Sequence, residues 1–107
     1  MLRIIDLPVS ELVLDAAAVS DRLNLAAARG DGARVVGLGP VNDRLLVFLE
    51  DGPAAGEYRF APLAARSAAE VVAEARSRYD ASFSTVGIFT AADRLWGLFC
   101  RTREARS

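Results

Sequence analysis

Apolar positions along the chain change their spacing several times, and each change predicts an element. Leu2, Ile4, Ile5 and Leu7 make a short β-prone run that stops at Pro8, whose missing amide and fixed φ end a strand. Between Ser10 and Arg29, Leu12, Ala16, Val19, Leu23 and Ala26 recur at three- and four-residue steps, which places them on one helix face. Gly30 supplies the stop. Ser10 and Asp15 can each cap this helix, and Glu11 to Asp15 also alternates well enough to extend the strand. A helix from about Asp15, or earlier, is expected. Arg34 to Leu38 and Leu45 to Leu49 then form a hairpin around the turn formers Gly39-Pro40-Val41-Asn42-Asp43. After the breakers Asp51 to Gly56, Tyr58 and Phe60 alternate with Glu57, Arg59 and Ala61, a strand with one wet face. Ser67-Ala68-Ala69-Glu70 has capping-box spacing and opens a second helix with the stripe Ala68, Val72, Ala75, Tyr79. Asp80 and Ser82 close it, and Phe83 to Phe89 with Leu95 to Cys100 form a second hairpin.

The two stretches echo each other. Val36-Gly37-Leu38 and Asp43-Arg44-Leu45 return as Val86-Gly87-Ile88 and Asp93-Arg94-Leu95, and Arg3 in the first strand matches Arg59 in the later one. The order strand, helix, hairpin occurs twice. It predicts an α+β fold: a tandem βαββ duplication, with repeats at about 1–51 and 57–101 of a single domain 1–107. An antiparallel sheet would carry two helices packed on one face, with approximate two-fold symmetry. Each half resembles a small bacterial βαββ domain family of unknown function, in which strand and helix lead to a Gly-Trp dipeptide and a closing hairpin. The matching places are Gly30 to Val35 and Asp80 to Thr85, neither of which contains the Trp. The resemblance covers element order and implies no catalytic residues.

Strand alternation gives the hairpins an unusual property. Leu45, Val47 and Leu49 point one way and Leu46 and Phe48 the other, and both sets are apolar. Leu95, Gly97 and Phe99 oppose Trp96, Leu98 and Cys100 in the same manner. With helices on one sheet face, Leu46, Phe48, Trp96 and Leu98 are left as the expected interface of a homo-oligomer, a dimer being favoured, or of another protein partner. The alternatives are that both faces are covered within the chain, or that Trp96 walls a pocket for a small apolar ligand. Gly97 permits close approach of a ring, a backbone or a ligand.

Composition narrows the chemistry. The 107 residues are 52% hydrophobic and 25% charged, a globular balance for one small domain. The formal net charge of -1 offers no general attraction to nucleic acid or anionic lipid. It is unevenly spread, with five Arg against eight acidic residues up to Pro53 and eight against six beyond it. His, Lys and Gln are absent while Ala and Arg abound, the usage of a GC-rich bacterial genome. Without His, ordinary acid–base catalysis and transition-metal binding lose their commonest side chain. Cys100 stands alone, so no internal disulfide or thiolate cluster forms, and a reducing cytoplasm is expected. Met1 to Asp6 is too short an apolar run for a signal peptide, and no stretch matches a membrane span.

No motif points to a cofactor or a metal. Gly37-Leu38-Gly39-Pro40 is followed by a strand, whereas a phosphate loop needs a helix N-terminus. Asp15 with Asp21, and Glu70 with Glu74, fall on polar helix faces. Arg44 and Arg94 at the hairpin tips are either repeated turn residues or a pair of anion contacts. Arg101, Arg103 and Arg106 form a small basic tail. The function expected is a non-enzymatic oligomerising or protein-interaction module. The alternatives are a domain resembling ferredoxin-like small-molecule sensors and a dimer resembling acidic secretion chaperones.

Overall fold

Strand β1, Leu2–Pro8, ends at its proline and turns directly into a six-residue helix α1, Val9–Leu14. Asp15, at φ -155° and ψ 82°, interrupts the helical path. Its carboxylate accepts the Ala18 N–H at 3.1 Å and so caps a fresh helix α2, Ala16–Ala27. The helix expected from about Asp15 thus starts at that cap, and the additional short α1 ahead of it is joined to it by a Glu11–Arg22 ion pair. Beyond α2, Gly30 takes a φ of 61°, the left-handed turn that the breaker was expected to supply. This computed structural model describes residues 1–53 and 56–102. Ala54 and Ala55 of the breaker cluster, and Arg103 and Arg106 of the basic tail, lie outside the described residues.

Strands β2, Ala33–Val41, and β3, Arg44–Asp51, form the first hairpin, with Asn42 at φ 56° in its two-residue turn. After β4, Gly56–Pro62, the Ser67 hydroxyl accepts the Glu70 N–H at 3.2 Å and starts helix α3, Ala68–Asp80. The Glu70 carboxylate reaches back to the Arg66 N–H at 2.6 Å, one residue ahead of the expected cap amide. Strands β5, Phe83–Ala91, and β6, Arg94–Thr102, close the described chain through Ala92 and Asp93, both at positive φ.

The fold is α+β, the described residues forming two antiparallel three-stranded sheets, β1-β3-β2 and β4-β6-β5, and three helices. One continuous sheet with two helices on one face does not form. Strands β2 and β5 lie close together but belong to different sheets, and the Leu38 side chain fills the space above Gly87. A Cβ on Gly87 would meet Leu38 Cδ2 at 2.5 Å, so the sheets approach face to face through that glycine.

Corresponding strands share their registers. Ile4 pairs with Phe48 as Phe60 pairs with Leu98, and Leu38 pairs with Val47 as Ile88 pairs with Gly97. Each hairpin shifts register at one place, between Val35 and Gly37 in the first and between Thr85 and Gly87 in the second. The two sheets nevertheless use opposite faces for the core. The first contributes Leu45, Val47 and Leu49, and the second Trp96, Leu98 and Cys100, to one cluster that also holds Leu12, Val19 and Leu23. Helix α2 packs on both β2 and β4, whereas α3 lies against β5 and has no buried residue.

Candidate functional site

The four side chains expected at an interface separate into two groups. Leu46 and Phe48 lie half-buried on the outer face of the first sheet. Directly paired strand residues share a face, so Leu2 and Ile4 of β1 join them, with 55% and 57% of their surfaces exposed. Trp96 and Leu98 are not on an open face: they are 3% and 0% exposed inside the chain's own core. The Trp96 indole donates to the Ala91 carbonyl at 3.1 Å, and α2 with the first sheet supplies the cover that the sequence reading sought in a partner. Leu2 and Ile4 escaped that reading, although their alternation with Arg3 and Ile5 places them on one face.

Two further residues invisible to pattern analysis join the halves. Strand β4 is an edge strand, and α2 runs along its free side. Asn24 accepts the Tyr58 N–H at 2.7 Å through Oδ1 and donates to the Tyr58 carbonyl at 2.9 Å through Nδ2. Ser20 Oγ accepts the Phe60 N–H at 2.9 Å while its own hydroxyl donates to the Ala16 carbonyl at 2.7 Å. An edge that would otherwise present bare amides to another chain is closed by side chains. The Tyr58 hydroxyl continues the link by accepting the Val35 N–H at 2.9 Å, and burial pushes its pKa up while that hydrogen bond pulls it down.

Helix α3 lacks a comparable cover. Its inner side meets the second sheet through Arg78, whose guanidinium lies 4.2 Å from the centre of the Phe99 ring and is hydrogen-bonded to Glu74 at 3.0 Å. The Phe99 ring in turn lies over Gly97, where a Cβ would come within 2.5 Å of it, so the ring that this glycine admits is Phe99. On its open side, Val72, Ala75 and Tyr79 border a groove of about 530 Å³ with Thr85 of β5.

Chemistry is sparse elsewhere. Arg44 is engaged by Asp6 at 2.7 Å, and Arg94 lies 5.7 Å from the Trp96 ring centre. They do not converge on a shared site. Cys100 is buried, and that burial raises its thiol pKa, with the Glu57 charge adding to the shift. Among the described residues no group of three or more Cys, Asp or Glu side chains is arranged to hold a metal ion, and no helix is long and apolar enough to cross a membrane.

No family model, curated protein or solved structure matches this chain. What the arrangement offers is therefore read from its own surfaces. They are the apolar sheet face of Leu2, Ile4, Leu46 and Phe48, and helix α3 with its groove.

Proposed function

We propose that the chain is a non-enzymatic, self-associating module built from two copies of one βαββ unit. The carrying observation is the exposed face of Leu2, Ile4, Leu46 and Phe48. By register, these positions correspond to Tyr58, Phe60, Trp96 and Leu98 of the second sheet, four large side chains that are all buried. One unit of the pair thus covers this face within the chain and the other leaves it open. Full burial of a large apolar side chain contributes roughly 1.5–3 kcal/mol, so covering the open set offsets several kcal/mol of the entropy lost on association. The absence of His and the raised thiol pKa of Cys100 weigh against acid–base or nucleophilic catalysis.

Light scattering after size exclusion, with protein at tens of micromolar, tests the reading. The wild type is expected at a multiple of the chain mass, and Ile4→Asp, at an exposed position, at one chain mass with its far-UV spectrum unchanged. A wild type at one chain mass would overturn the proposal.

A further inference from the structure

We infer that copies of this chain associate head to tail, the open face of the first sheet in one copy covering α3 and the outer face of the second sheet in the next. This deepens the self-association reading and rests on it. The template is the contact already made inside the chain. There, the sheet face carrying Tyr58, Phe60, Trp96 and Leu98 lies over α2 and over the face of the first sheet that carries Leu45, Val47 and Leu49. In the second half the equivalent layers are α3 and the face carrying Leu95, Gly97 and Phe99; Gly97 and Phe99 are buried, Phe99 under Arg78, so the open part is α3 with the β5 margin at Thr85 and Ile88. Among the described residues nothing lies over α3, whose Val72 and Tyr79 are 48% and 69% exposed.

Three local correspondences make the two open surfaces complementary. The first concerns the glycine that lets the sheets approach. Within the chain Leu38 seats on Gly87, and the register-matched pair is Ile88 with Gly37. Ile88 is partly exposed and Gly37 is half-buried, an added Cβ there meeting only Phe48 Cδ2, at 4.0 Å. Ile88 of one copy thus has a seat at Gly37 of the next.

The second concerns the edge strand. Counting from the helix caps Asp15 and Ser67, the α2 residues Ser20 and Asn24, which hold β4, correspond to Val72 and Arg76 of α3. The β4 residues that they hold, Phe60 by Ser20 and Tyr58 by Asn24, correspond to Ile4 and Leu2 of β1. The polar contact of Ser20 with Phe60 is matched between copies by an apolar one, Ile4 against Val72, with Leu2 beside Arg76. The third is the groove beside Val72, Ala75, Tyr79 and Thr85. Thr85 corresponds to Val35, whose N–H meets the Tyr58 hydroxyl, so the groove lies where β4 inserts in the first half. An ill-matched occupant would have no reason to share register on all three counts. Contacts of this heterologous kind close into a ring or run on as a filament, according to the rotation per copy.

Mixing two singly blocked variants tests the inference. Phe48→Asp blocks the sheet face and Val72→Asp the α3 face, and each is expected to sediment as one chain with a native far-UV spectrum. Mixed in equal amounts, with one of them mass-tagged, they are expected to form a species of one chain of each, since each keeps the face that the other lacks. Gly37→Ala, whose added Cβ comes no closer than 4.0 Å to Phe48 within its own fold, is expected to lose the assembly as Phe48→Asp does. If Val72→Asp retains the wild-type assembly while Phe48→Asp is monomeric, the sheet face pairs with itself; the head-to-tail arrangement is then wrong and self-association stands. A monomeric wild type that carries a small-molecule adduct in native mass spectrometry overturns both.

Discussion

Asn24 spends its whole amide on one backbone residue, and the cost of losing it can be stated. Its Oδ1 and Nδ2 satisfy the N–H and the carbonyl of Tyr58 at 2.7 and 2.9 Å on the free side of an edge strand. Asn24→Leu keeps the side-chain volume and leaves both backbone groups without partners under the helix. Unpaired buried polar groups cost about 1–3 kcal/mol each, and partial access of water lowers that, so a loss of roughly 2 kcal/mol is expected in urea unfolding. An unchanged midpoint would mean that water replaces the amide at no cost. Neither Asn24 nor Ser20 was legible beforehand as a strand holder. A polar residue beside an apolar helix stripe reads as a solvated face, and only the position of β4, more than thirty residues away in the chain, gives it a partner. Ser67 shows the opposite case, because the amide it caps lies three residues on and its role follows from local spacing.

At the scale of elements, the hairpins were readable and the choice of buried face was not. Turn formers bounded by β-branched runs located β2 with β3 and β5 with β6, since both signals are local. In β6, however, Leu95, Gly97 and Phe99 are as apolar as Trp96, Leu98 and Cys100, so alternation carries no preference and the next layer decides. The same ambiguity hid the second sheet. Whether two three-stranded sheets join edge to edge or stack depends on contacts such as Leu38 on Gly87, which no single strand encodes. Gly97 offers a test on the α3 side of β6. A methyl there meets the Phe99 ring at 2.5 Å and forces it from its place under Arg78. Gly97→Ala is expected to lose about 1–3 kcal/mol by overpacking, against little change for Gly39→Ala, where nothing lies within 4 Å. Both are best measured by urea unfolding in an Ile4→Asp background, where association does not contribute. Equal midpoints for the two would show that Phe99 can leave Gly97 freely.

For the molecule as a whole, the single Trp separates folding from association. Trp96 is buried in a cluster that runs from Leu7 and Leu12 through both sheets to Cys100, with its indole N–H on the Ala91 carbonyl. Because that cluster is continuous, the two sheets are expected to unfold together, and the red shift of Trp96 emission should overlay the loss of far-UV signal along a urea titration. The surfaces proposed for association lie elsewhere, on the Leu46 and Phe48 face and on α3. Dilution that dissociates the assembly should leave Trp96 emission in place, and Trp96→Asp should unfold the chain rather than merely separate copies, since it would bury an unpaired carboxylate in the core. A red shift on dilution with the far-UV spectrum intact would move Trp96 from the core to the interface. It would also remove the asymmetry between the halves on which the head-to-tail arrangement depends, because the second sheet's covered face would then be as open as the first's.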